Sequence, residues 1–219
     1  MQTVIDEIVL HTNKKADVFY SNVTAHTGRP WHPTDADELY AYIGIVPYAG
    51  MNKAWDQSVP EIFHQNNRPL YRATMSAERF QQLARFIRFD DSKTRELRLR
   101  TDKLAAFRNV WTLFISSLQQ SYTPSAELTV DEQLVTICNK CPFRQFMRSK
   151  PGRYGIKIFW IVDANNSFPL CGDIYLGRQP GQNKKATHVA KDIVLFLAQK
   201  YINEGRNITM DNFLLVSHQ

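Results

Sequence analysis

Up to about residue 125, apolar residues recur at three- and four-residue steps; beyond it they alternate or run together as strands do. In residues 76–89, Phe80, Leu83 and Ile87 share one helical face, and Ser76 stands where an N-cap belongs. In residues 101–120 the stripe is Leu104, Phe107, Trp111, Phe114, Ile115 and Leu118, with Thr101-Asp102 as the expected cap. A helix is predicted from Asp35 to Val46. It is expected to break at Pro47, whose ring removes a donor and crowds the preceding turn. Residues 47–75 hold several Pro and Asn and are predicted as loop with short helical pieces.

After Pro124 the pattern changes. Leu128 to Cys138 is rich in Val, Ile, Leu and Thr and predicts a strand, with Asn-Lys-Cys-Pro as the turn behind it. YGIKIFWIV (154–162) predicts a second strand, closed by the polar turn 163–166, and Pro169 to Leu176 a shorter third. Beyond the Gly/Gln/Asn/Lys stretch at 177–185, Thr187 is expected to cap a helix over 187–204. Val189, Ile193, Phe196 and Leu197 would share its face, and Gly205 would stop it. Asn207 to Met210 predicts a fourth strand, ending in Asp211-Asn212. The fold class is therefore α+β, with a helical region at 1–124 and a strand-rich region at 125–219.

Composition narrows this picture only a little. Hydrophobic residues make up 43% of the 219 and aromatics 12%, enough to bury a core, which excludes a chain disordered by composition. The net charge of +6 and a pI near 9.2 suit a nucleic-acid partner without requiring one. No secretory leader opens the sequence, and no apolar run approaches the ~20 residues of a bilayer span. Three cysteines, an odd number, point to a reducing compartment and to a cytosolic or nuclear protein. The glycosylation triplets at Asn22 and Asn207 then carry no weight. Cys138-Asn-Lys-Cys141 has zinc-like spacing, but only Cys171, His188 and His218 remain as partners, so a β-turn with buried thiols is the simpler reading. Trp31, Trp55, Trp111 and Trp160 are read as packing residues rather than stacking platforms.

The candidate chemistry lies in two carboxylates. Asp131 sits in the middle of an apolar strand, where burial is costly unless the charge is paired or binds a metal. Asp211 ends the fourth strand. Carboxylates converging across a sheet supply the hard oxygen ligands that divalent cations need in phosphoryl transfer. The competing reading is that Asp131 faces solvent on an edge strand and Asp211 merely starts a turn. Glu132, next along the strand, points to the opposite face. Lys140, Arg144, Arg148, Lys150, Arg153 and Lys157 form a basic cluster with no acidic neighbour between 140 and 157, as phosphate contacts require. The earlier cluster, Arg79, Arg85, Arg88, Arg95, Arg98, Arg100, Lys103 and Arg108, is interleaved with Asp90, Asp91, Glu96 and Asp102. It suits a solvated face as well as it suits DNA.

Longer stretches carry more information. YTPSAELTVDEQL (122–134), CPFRQFMRSKPGRYGIKI (141–158), YLGR (175–178) and NITMDNF (207–213) together resemble the piggyBac transposase family. Upstream, IVLHTNKKA (8–16) and MSAERFQQLARFIRFDD (75–91) resemble its N-terminal helical region. The resemblance implies a helical dimerisation and DNA-binding region followed by the first half of an RNase H-like (βββαβ) DDE/D core. In that fold the first three strands form an antiparallel meander, and the fourth returns through a right-handed crossover to lie parallel to the first. It also implies that Asp131 and Asp211 are the first two catalytic aspartates and hold Mg²⁺ or Mn²⁺. The family's third aspartate would lie beyond Gln219, its cysteine-rich zinc module is absent, and Leu214-Leu-Val-Ser217 departs from its pattern. The implied function is DNA recombination in the nucleus: nicking and joining of double-stranded transposon ends at a TTAA-type target, by a homodimer. Without a third carboxylate the chain is expected not to cut DNA. The alternative is a domesticated or decayed copy that acts only as a DNA- or protein-binding module.

Overall fold

The computed structural model describes residues 1–22, 30–177 and 189–211. The chain divides into two compact units, Met1–Ser92 and Lys93–Gln219. The first is helical: α1 (Gln2–Ser21), α2 (Ala36–Met51), α3 (Val59–Ile62), α4 (Pro69–Thr74) and α5 (Ala77–Phe86). Its core gathers Ile45, Ile62, Phe63, Tyr71, Met75 and Leu83. Ser76 caps α5 as predicted, its hydroxyl accepting the Arg79 N–H at 3.1 Å, and Asp35 caps α2 by accepting the Glu38 N–H at 2.8 Å. The expected break at Pro47 does not occur. Helix α2 runs through it to Met51, because Ile45 is buried in this core and Tyr48 and Ala49 pack against it, which offsets the one donor Pro47 lacks. Ile87, expected on the α5 face, leaves the helix in an extended conformation.

The second unit opens with α6 (Ser92–Leu99), which the pattern did not predict, and α7 (Arg108–Ser121). Helix α7 begins five or six residues later than a Thr101-Asp102 cap would place it, with Phe107 in the cap position. The Asp102 carboxylate instead accepts the Leu104 N–H at 2.9 Å and takes Arg108 through two bonds at 2.8 and 3.0 Å, holding 101–107 as turns. The change to strand periodicity near 125 and the change of compact unit at 92 therefore do not coincide.

The sheet follows: β1 (Glu127–Thr136), β2 (Gln145–Phe146), β3 (Tyr154–Asp163), β4 (Pro169–Ile174) and β5 (Asn207–Met210), with α8 (Val189–Ala198) before β5. Strands β1, β3 and β4 pair antiparallel in turn, and β5 lies parallel to β1, Leu128 opposite Ile208 and Val130 opposite Met210. The short β2, absent from the sequence prediction, pairs with Tyr154 and Gly155. Leu128, Val130, Phe159 and Ile161 pack under Ile193, Val194, Leu197, Ala198 and Tyr201. Trp111 of α7, with Leu104, joins Ile158 and Ile174 in a separate cluster.

Helix α8 corrects two expectations. Phe196 is 55% exposed, and Val194 takes its place in the core. The helix ends at Ala198, so Gly205, at φ +70°, closes the turns before β5 rather than the helix itself. Thr187, the expected cap, and everything after Asp211 lie outside the described residues. Leu197, 1% exposed, is the centre of the α8 packing. Leu197→Ala is expected to cost about 2–5 kcal/mol in urea denaturation, the range for a large apolar side chain removed from a core that relaxes incompletely.

Candidate functional site

Asp131 lies in mid-β1, directly across from Trp160 of β3. It is exposed, not buried as its apolar flanks suggested. The reason is topological. Among the described residues, pairing with β5 ends at Val130–Met210, and from Asp131 onward no described strand lies along that edge of β1. From there to Thr136, among the described residues, β1 is paired with β3 alone, so Asp131 stands on an exposed edge, as the competing reading of the sequence had it. Asp211 follows Met210 directly and is also exposed. The two aspartates thus stand one step beyond the last paired residues of two parallel strands, which where paired run about 4.8 Å apart. Val130 and Met210 both turn toward the α8 core, and alternation carries the next residue of each strand to the other side of the sheet.

Two devices hold that register. The Asn207 N–H donates to the Ala126 carbonyl at 2.8 Å. The Arg206 guanidinium donates to the carbonyls of Pro124 and Ser125, tying the start of β5 to the entry of β1. Beside them Asp163, fully buried, accepts the Ser125 N–H at 2.7 Å, the Asn165 N–H and the Tyr122 hydroxyl at 2.9 Å, and the Ser125 hydroxyl at 3.0 Å. The Ser125 N–H above all, with these other donors, holds its carboxyl down at about 2. Nothing in the sequence marked Arg206, and Asp163 read only as the first residue of a polar turn.

Around Asp131, its Oδ1 accepts the Glu132 N–H at 2.7 Å. Glu132 faces the other way and meets Lys150 at 3.5 Å. The Lys157 ammonium lies 4.4 Å from the centre of the Phe159 ring. Burial there pulls it below the usual lysine range, against the opposing charges of Glu132 and Asp131. Arg144 stacks on Tyr154 at 5.1 Å. Lys140, Arg148 and Arg153 are exposed. An open cleft of about 420 Å³ is lined by Asp131 and Glu132 together with Gln133, Trp160, Val162, Ser167 and Pro169.

Other candidates go elsewhere. Much of the earlier basic cluster serves the fold: Arg79 pairs with Glu38 at 2.5 Å, Arg108 with Asp102, and Arg85 stacks on Phe19 at 4.3 Å. Cys138 is exposed rather than a buried thiol, Cys141 is partly covered, and Cys171 is buried. Trp111 packs as expected, whereas Trp55 is 76% exposed. Among the described residues no three His, Cys, Asp or Glu side chains converge on one point, and no helix is long and apolar enough to cross a membrane.

Comparison with known proteins places this arrangement. The family model described as Transposase IS4 matches residues 1–219. The cryo-EM structure of a piggyBac transposase synaptic complex with hairpin DNA superposes on the chain with a TM-score of 0.77 at 30% identity. The match covers 95% of this chain and 47% of that one, so the chain spans about half the length of the protein it resembles. With the full length matched by the family model and helices and mixed sheet shared with a solved piggyBac transposase, the chain belongs to the Transposase IS4 family, in its piggyBac group.

Proposed function

We propose that this chain carries two of the carboxylates of a piggyBac-type phosphoryl-transfer site, Asp131 and Asp211, and that it binds double-stranded DNA at transposon ends. The observation that carries the reading is their placement at the same step of two adjacent parallel strands, where the β1–β5 pairing ends. Two exposed carboxylates on neighbouring strands suit a hard divalent cation, Mg²⁺ or Mn²⁺, and Asp131 and Asp211 would hold it. Once bound, it would supply positive charge at the scissile phosphate. The chain's own residues do the rest. Arg206 and the Asp163 network keep β5 in register, so both carboxylates stay rigidly placed. Exposed Lys140, Arg148 and Arg153, with Arg144, Lys150 and Lys157 beside them, neutralise the DNA backbone. In the parent reaction such a site serves cleavage and strand transfer at a TTAA-type target in the nucleus, by a homodimer.

The 219-residue chain itself is expected to bind DNA and leave it uncut. Mg²⁺ sheds its water reluctantly, and two carboxylates hold it weakly. The protein would be incubated with Mg²⁺ or Mn²⁺ and a duplex carrying candidate transposon ends. Binding that weakens steeply with salt, without nicking, is the expected result. Replacing Lys140, Arg148 and Arg153 together by Ala should lower the slope of log affinity against log salt by about 0.9 for each phosphate no longer neutralised. Nicking that disappears in Asp131→Asn would overturn the expectation of inactivity. Salt-independent binding would overturn the DNA reading.

A further inference from the structure

We infer that the cleft beside Asp131 receives one unpaired nucleobase, stacked on Trp160, next to the phosphodiester presented to the carboxylates. This rests on the DNA reading above and adds a subsite to it. The cleft's volume of about 420 Å³ falls within the range of small-ligand sites. Its wall is an aromatic ring that the fold holds on several sides. The Trp160 indole N–H donates to Gln133 Oε1 at 2.9 Å, two residues along β1 from Asp131. Its six-membered ring lies over Gly172, so closely that a Cβ there would collide with the ring carbons. The Trp111 ring, 5.4 Å away between centroids, supports it further. A platform already ordered in this way loses little freedom when a flat ligand stacks on it.

The remaining walls fit a base. Val162 and Pro169 are apolar, Gln133 and Ser167 offer polar groups for a base edge, and Glu132 completes the lining beside Asp131. Because Asp131 and Trp160 are direct cross-strand partners, a base on the indole would bring its own phosphate toward the carboxylate. Bases inside a duplex stack on one another and cannot present a face to a side chain, so the occupant must be unpaired or extruded. A tryptophan at this position thus goes from packing residue to recognition surface.

The probes are a hairpin duplex closed by a loop of four thymines and a blunt duplex of the same stem. The wild-type chain is expected to bind the hairpin about tenfold more tightly than the blunt duplex, the scale of one base–aromatic stack. Trp160→Ala should bring that ratio to about one with blunt-duplex affinity unchanged, and Trp160→Phe should keep most of it. Trp160 also packs on Trp111, so Val162→Phe, which fills the cleft from the side and leaves the indole in place, supplies a second test should Trp160→Ala fold poorly. It too should abolish the hairpin preference. A wild-type ratio near one, or a preference that survives both Trp160→Ala and Val162→Phe, overturns the inference while leaving duplex binding intact. Absence of salt-sensitive binding to either probe overturns the DNA reading and this subsite with it.

Discussion

Asp131→Asn is expected to abolish divalent-cation binding while leaving the protein as stable as before. Direct ligands matter more than the groups that orient them, and losing an orienting group already weakens metal affinity about 10–100-fold. A loss of more than about a hundredfold is therefore expected, measured by calorimetry or by the Mn²⁺ resonance signal. Asp211→Asn should act in the same way if the two share one ion. The fold should not notice either change. Asp131 is exposed and, among the described residues, accepts the N–H of the next residue, an interaction an Asn oxygen can also make. Stability should stay within about 0.5 kcal/mol. Unchanged metal binding in both variants would remove the basis for the site. A large loss of stability would show instead that Asp131 is a structural residue.

Asp163→Ala is expected to destabilise the sheet unit strongly. It would leave the donors of Ser125, Tyr122 and Asn165 facing a dry space, and buried donors without partners cost more than the bonds themselves contribute. A fall in melting temperature of roughly 10 °C or more is expected, since broken buried networks are among the few causes of large losses. Asp163→Asn should also be destabilising, because an amide oxygen replaces two carboxylate oxygens and its NH₂ faces donors. The carboxylate leaves a pH signature as well. Its folded value of about 2 lies below the ordinary 3.8, so its contribution is fully present above pH 3.8 and is lost as pH falls toward 2. In Asp163→Asn that part of the acid-induced loss should disappear. If wild type and variant lose stability in parallel between about pH 4 and 2, the network is not what holds this corner.

The same residue explains why the site could be only partly read in advance. Asp131 and Asp211 stood out because a carboxylate inside or at the end of an apolar strand is unusual, and that is visible in one dimension. That they come together is a property of the β1–β5 register, and the groups that hold it, Arg206 and Asp163, contact residues 38 to 82 positions away. Long-range contacts of this kind leave no periodic trace. The basic residues make the same point: Arg79 and Lys140 look alike in the sequence, yet one is committed to Glu38 and the other is exposed.

What the sequence determined by itself was the kind and order of the main elements: helices before 125, then three strands, a helix and a strand. Side-chain alternation and helical spacing are local, and Ser76 and Asp35 cap helices through neighbours only three residues away. Tertiary structure decided where local rules yield to packing. Helix α2 passes through Pro47 because its far side is buried, α7 starts late because Asp102 is taken by Arg108, and Val194 displaces Phe196 from the core. It also decided that Asp131 is exposed beside Trp160 rather than in a dry interior, since among the described residues β5, four residues from a distant part of the chain, pairs with β1 only as far as Val130.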